Sequence, residues 1–248
     1  MDILNLTKDE SLKLLDLRKD TLNILCLDKP QLKELTSRVG VVLDYSGSMS
    51  TLYKNGTVQA VLERLFPLAL QFDDNGEMEV WIFDNKFQRL KSINKNNYYG
   101  YINENVLGKY PMGWTNYSPV LQDIQKKYIK ENPTNLPNYI IFITDGNNSD
   151  RTETTQIIKS MSKTPIFIQF VGIGNEKFDY LESLDEMEGR YVDNANFFAL
   201  PDLINIQDNE LYSLLLKEYP QWLDYPEVKE MIVNQGKEHK GFFSKLFK

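Results

Sequence analysis

From residue 38 onward the chain alternates short, fully apolar runs with stretches of helical periodicity. Residues 39–43 are nearly all apolar and β-branched, the pattern of a strand covered on both faces. That run stops at a polar, small-residue segment, Asp44-Tyr-Ser-Gly-Ser-Met49. Residues 58–72 carry apolar side chains on most faces of a helix, and Pro67 inside it is expected to kink or break it. Residues 78–83 predict the next strand, and residues 87–93 an edge strand returning beside it. An irregular, aromatic-rich stretch covers 98–114. Ser118-Pro119 then has the cap-then-proline signature of a helix start, followed by Leu121, Ile124 and Tyr128 at helical spacing. Residues 139–143 form another buried strand, ending at Thr144-Asp145-Gly146. Asp150 and Glu153 have the spacing of a capping box ahead of Ile157, Ile158 and Met161, and residues 165–174 hold the last clear buried strand.

Strands alternating with helices require crossover connections, so the fold class is α/β. The sheet is mostly parallel, with helices on both faces and one antiparallel edge strand. Residues 1–37 read as an N-terminal extension of short strands or a hairpin, and 38–201 as the α/β domain. Residues 202–235 read as C-terminal helices, at 211–219 and at 226–234 before Gly236. Residues 236–248 form a basic, aromatic tail, either a mobile end or a contact for an anionic membrane or a partner.

Composition narrows the chemistry. With 35 acidic against 28 basic residues and a net charge of −7, the chain lacks the basic face that nucleic-acid binding needs. Cys26 is the single cysteine and His239 the single histidine, which excludes an intramolecular disulfide and Cys- or His-based zinc sites. Cys26 itself reads as a small buried hydrophobe. The first residues mix charges among leucines, unlike a signal peptide. The apolar runs fall far short of the roughly 18 residues a membrane span needs. A cytoplasmic protein without a transmembrane segment is expected.

Two buried strands end in acids, Asp44 and Asp145, and the carboxyl ends of parallel strands are where such sheets bind ligands. Ser46 and Ser48 place hydroxyls at alternate positions after Asp44, and Thr115 lies in a separate loop just before a helix. Carboxylate and hydroxyl oxygens without Cys or His make the ligand set of a hard cation. Mg²⁺ is the first choice, with Mn²⁺ or Ca²⁺ also accommodated. Each residue has a plainer role open to it: the hydroxyls suit helix caps, and Asp145-Gly146 suits a turn. Asp84 is assigned to a turn, and Tyr98, Tyr99, Tyr101 and Tyr110 to packing over a sheet edge rather than to a partner surface.

The three segments, in this order and each at a strand end or loop, resemble the metal-ion-dependent adhesion site of von Willebrand factor type A (vWA) domains. The likeness covers about residues 38–201. Asn116-Tyr-Ser-Pro-Val120 and Glu79-Val-Trp-Ile-Phe-Asp84 are most similar to bacterial tellurium-resistance-type proteins, which are related to copines. The resemblance implies a Rossmann-like vWA fold. It implies that Ser46, Ser48 and Thr115 coordinate the metal directly, and that Asp44 and Asp145 do so directly or through water. A Glu or Asp of a protein partner would take the remaining position. Trp114 stands where such proteins often have a small residue, so its ring would wall one side of the metal.

Two other functions are open to these residues. A metal-dependent phosphohydrolase could use Asp44 as nucleophile, but Ser46 stands where such enzymes place a second acid. No GxxxxGK[ST] phosphate loop is present. A scaffold could instead bind through its aromatic surface, with a purely structural metal. The absent catalytic partners favour a non-catalytic binding module in a bacterial stress or tellurium-resistance-like system.

Overall fold

The structure, a computed structural model, describes residues 4, 6–27, 29–33, 35–146, 148–174, 176–201 and 205–246, with the backbone alone for 30, 31 and 237–246. Six strands form one sheet in the order β3-β2-β1-β4-β5-β6. They are β1 (Arg38–Asp44), β2 (Met78–Phe83), β3 (Phe87–Ile93), β4 (Asn138–Thr144), β5 (Ile166–Ile173) and β6 (Ala195–Leu200). All neighbours run parallel except β2 and β3, which are antiparallel. This is the expected α/β arrangement with its one antiparallel edge. β4 and β5 are buried along their whole length, which is why their sequences read as unbroken apolar runs. β6 had no such signal.

Alternate strand residues face opposite layers. Val41 and Leu43 join one core with α4 (Thr57–Phe72), while Val42 and Phe142 join another with α6 (Ser118–Gln125) and α7 (Arg151–Met161). The first layer is completed by α1 (Lys8–Leu27), α2 (Pro30–Lys33), α3 (Ser50–Lys54), α5 (Tyr101–Asn105), α9 (Asp208–Leu215) and α10 (Tyr219–Asp224), and the second by α8 (Asp179–Asp185). Tyr98 and Tyr101 are buried and Tyr99 and Tyr110 pack against this core, as their assignment to packing required. Cys26 is likewise buried and free.

The N-terminal extension is helical, not a hairpin. The buried stripe of α1 is Ser11, Leu15, Arg18, Leu22 and Cys26, spaced for one helix face but interrupted by two polar residues. Each polar member has a buried task. Ser11 donates to Glu63 at 2.6 Å, and Arg18 pairs with Asp208 at 3.2 Å, which also holds Arg64 at 2.7 Å.

Pro67 does not break α4, which is continuous from Thr57 to Phe72. A proline cannot donate to the carbonyl four residues before it, which here is Glu63. Arg18 Nη1 reaches that carbonyl at 3.5 Å, and the Tyr212 hydroxyl donates to the next one, Arg64, at 2.9 Å. Helices from both chain regions outside the sheet thus supply donors beside the proline.

The C-terminal helix α11 (Pro226–Leu246) also departs from expectation, running through Gly236 rather than stopping there. A Cβ on Gly236 would lie 2.8 Å from the Asn135 Cβ, so this glycine serves close packing, not helix termination. The membrane or partner contact considered for residues 236–248 depends on side chains outside the described residues. No described helix is long and apolar enough to cross a membrane.

Candidate metal centre

β1 and β4 are paired up to Leu43 and Ile143, so Asp44 and the Thr144-Asp145 step emerge side by side at the carboxyl edge of the sheet. Asp44 is fully buried. Its Oδ1 accepts the Ser46 N–H at 2.8 Å and its Oδ2 the Thr144 hydroxyl at 2.7 Å. Its backbone carbonyl accepts the Tyr53 hydroxyl at 2.9 Å. Ser46 Oγ lies 3.0 Å from Ser48 Oγ, and the Ser48 hydroxyl is near enough to the Asp145 carboxyl to oppose the rise that burial causes. Asp44, Ser46, Ser48 and Asp145 are therefore one contiguous polar cluster.

The Thr115 loop is pinned against this cluster. Ser46 and Gly113 form an isolated parallel bridge, with the Gly47 N–H donating to the Gly113 carbonyl at 3.1 Å. Thr115, partly exposed, accepts the Ser149 N–H on its carbonyl at 2.9 Å. Gly113 has no room for a side chain: a Cβ there would sit 2.5 Å from Asp84 Oδ2 and from Asn85 Oδ1. Asp84 has the turn role expected of it, since its Oδ1 accepts the Lys86 N–H at 2.6 Å. Trp114 is 80% exposed beside Thr115.

The sequence reading missed the real anchor of this loop. Asp150 sits in the N-cap position of α7 but makes no side-chain cap bond there. Its carboxylate crosses to the start of α6, accepting the Tyr117 N–H at 3.0 Å and the Ser118 N–H at 2.7 Å. Burial raises the Asp150 carboxyl, but these bonds outweigh it and hold the group below its ordinary value. Ser118 is thus the first residue of α6, and Asp150 supplies the capping oxygen. Tyr117 also belongs to the site's frame, its hydroxyl bridging Thr144 Oγ1 and the Gly146 carbonyl. An aspartate preceding a helix signals a local cap, so nothing in the sequence pointed to a partner 32 residues away.

Burial pushes the Asp44 carboxyl up to about 6, against hydrogen bonds from Ser46 and Thr144 and with the Asp145 charge adding to the rise. Asp145 is raised as well, by burial first, with Glu176 contributing. Among the described residues no lysine or arginine pairs with either acid. No cluster of three or more His, Cys, Asp or Glu is placed there to hold a metal either. A cation at this edge must therefore use hydroxyl oxygens as well as the two carboxylates. That donor set fits a hard dication, which would supply the positive charge the acids lack.

Comparison with known proteins agrees with the fold. The chain is 44% identical over 241 residues to the uncharacterized protein YcbR of Bacillus subtilis (strain 168), covering 94% of this chain and 98% of that protein. Among solved structures it is similar to the manganese-loaded TRAP protein of Plasmodium vivax, with TM-score 0.54 at 16% identity over 73% of this chain and 72% of that one. It is also similar to proximal thread matrix protein 1 of the mussel byssus, solved with a zinc-occupied MIDAS motif, with TM-score 0.51 at 14% identity over 74% of this chain and 46% of that one. The family described as "vWA found in TerF C terminus" matches residues 36–232. With a family match over most of its length and the vWA sheet order and crossovers in place, the chain belongs to the vWA-TerF-like family.

Proposed function

We propose that this protein is a non-catalytic module that binds a protein partner through a divalent metal. In this reading Ser46, Ser48 and Thr115 ligate Mg²⁺ directly, and Asp44 and Asp145 do so directly or through water. A Glu or Asp of the partner completes the coordination. Residues 38–201 carry the site, and the C-terminal helices of 202–235 follow it. The observation that carries the reading is the fully buried Asp44 carboxylate, linked through Ser46 to Ser48 beside Asp145, with no lysine or arginine paired with either acid among the described residues. The two structural neighbours, one loaded with manganese and one with zinc at its MIDAS motif, support a divalent ion.

Trp114 adds a contact of the kind that anchors interfaces, a large exposed ring beside the metal loop. The scaffold alternative is less favoured, because Tyr98 and Tyr101 of its aromatic cluster are buried. A phosphohydrolase is disfavoured because Ser46, not a second acid, stands two residues after Asp44. The family's name supports a place in a bacterial tellurium-resistance or stress system, and that role goes with a cytoplasmic location.

The test is calorimetric titration of Mg²⁺, Mn²⁺ and Ca²⁺ into wild type and Asp44→Ala. Saturable binding by wild type that the variant lacks is expected. Wild type that binds none of the three ions overturns the reading. Capture of host proteins that is lost on adding chelator would then identify the partner.

A further inference from the structure

A cavity of about 70 Å³ opens at the carboxyl edge of β1 and β2, beside the candidate metal centre. Its walls are Tyr45, Ile82, Phe83, Phe87, Tyr110 and Pro111, so most of its lining is apolar. Backbone hydrogen bonds tie these walls to the loops that carry the site. Tyr45 stands between Asp44 and Ser46 in the chain, and its N–H donates to the Phe83 carbonyl at 2.6 Å. The neighbouring carbonyl, that of Asp84, accepts the Asn116 N–H at 3.0 Å, one residue after Thr115. On the opposite wall the Tyr45 hydroxyl donates to the Tyr110 carbonyl at 3.3 Å. Cavity and site therefore share one hydrogen-bonded frame. Two charged residues border the cavity. Asp84 is turned into the hairpin, where its Oδ1 accepts the Lys86 N–H at 2.6 Å. Lys86 is exposed, and its ammonium is paired with no acid among the described residues.

We propose that this cavity takes a branched aliphatic side chain of the partner, close in sequence to the acid that completes the metal's coordination. The inference rests on the metal-binding reading above. Size selects the side chain: an apolar cavity of about 150 Å³ admits benzene, so about half that volume suits the end of a leucine, isoleucine or valine. Position selects the spacing. Tyr45 walls the cavity from between two site residues, and an extended peptide advances about 3.3–3.6 Å per residue. The anchor and the acid are therefore about one to three residues apart. Charge selects the segment, because the unpaired Lys86 favours an acidic peptide on a chain whose net charge is −7. Metal coordination by itself accepts any exposed carboxylate. The cavity chooses among them, since only a partner with a fitting neighbour gains the second contact.

The probes are blocked glycine peptides carrying one glutamate and one leucine, about one, two or three residues apart in either order, with leucine-free counterparts. Calorimetry measures their affinity for the Mg²⁺-loaded protein in wild type, Gln88→Trp and Gln88→Ala. Gln88 is exposed and borders the cavity, so tryptophan there fills it without disturbing the core, and alanine leaves it open. Urea midpoints check that both variants fold. At one spacing, leucine is expected to tighten binding at least about tenfold in wild type and in Gln88→Ala. Gln88→Trp is expected to lose that gain while binding the leucine-free peptide as wild type does. A gain absent at every spacing, or one that survives Gln88→Trp, overturns the proposal. Mg²⁺ binding without any peptide binding overturns it too. Wild type that binds no Mg²⁺ sinks the metal reading instead.

Discussion

Replacing Asp44 by asparagine should make the metal-free protein more stable while destroying metal binding. Burial moves the Asp44 carboxyl from an ordinary 3.8 to about 6, which amounts to about 3 kcal/mol lost wherever the group is ionised in both folded and unfolded chains. The sign follows from proton binding. The folded carboxyl holds its proton more tightly than the unfolded one, so stability is highest below the unfolded value, falls as pH rises from about 4 to about 6, and is level above. Asparagine removes the charge yet keeps both bonds. Its Oδ1 still accepts the Ser46 N–H, and its Nδ2 can donate to Thr144 Oγ1 once that hydroxyl turns toward Tyr117, 3.0 Å away. Urea unfolding in chelator should thus find Asp44→Asn more stable by about 2–3 kcal/mol near pH 7, with the difference gone below about pH 4. Adding Mg²⁺ at a hundred times its dissociation constant should stabilise wild type by about 2.7 kcal/mol and the variant not at all. A variant no more stable than wild type in chelator at neutral pH would refute the claim that an unbalanced buried charge sits at this edge.

Two further substitutions probe the frame of the site. Asp150→Ala should cost about 2 kcal/mol, since it uncaps α6 and also removes the acceptor of Asn148 and Thr154. Because the Asp150 carboxyl is held low, its contribution is present above about pH 4 and fades as pH falls below it. Comparing urea midpoints of wild type and Asp150→Asn at neutral and acid pH checks this. Gly113→Ala should keep the native circular-dichroism spectrum but weaken Mg²⁺ binding at least about tenfold, because the new methyl, 2.5 Å from the Asp84 and Asn85 side-chain oxygens, must push the Thr115 loop away. Unchanged calorimetric affinity would show that the loop position is immaterial.

The sheet was legible wherever strands are covered on both faces. Residues 39–43, 139–143 and 165–174 are nearly all apolar because both core layers press on them. β6 escaped notice because it is an edge strand, with Phe197 and Phe198 only partly covered and Ala199 exposed. α1 was misread because its buried stripe includes Ser11 and Arg18 while Leu12, Leu17, Ile24 and Leu27 point outward. A stripe broken by functional polar residues hides the 3.6-residue period. At the site, Asp44 and Asp145 follow directly on strand ends, so their position followed from strand prediction, whereas Thr115 was marked only by the helix start after it. Asp150 did not follow, since its role depends on neighbours brought close only by the folded sheet edge.

The pairing of Arg18 with Asp208 also has a consequence in time. The two residues are 190 positions apart in the chain. At about 5–20 residues per second, α1 leaves the ribosome about 10–40 s before its acidic partner is made. For that interval Arg18, and Arg64 once α4 is formed, lack the carboxylate they share in the finished protein. α1 is thus made well before its buried arginine can be paired, and until then the face that α4 shares with α9 lacks its full cover.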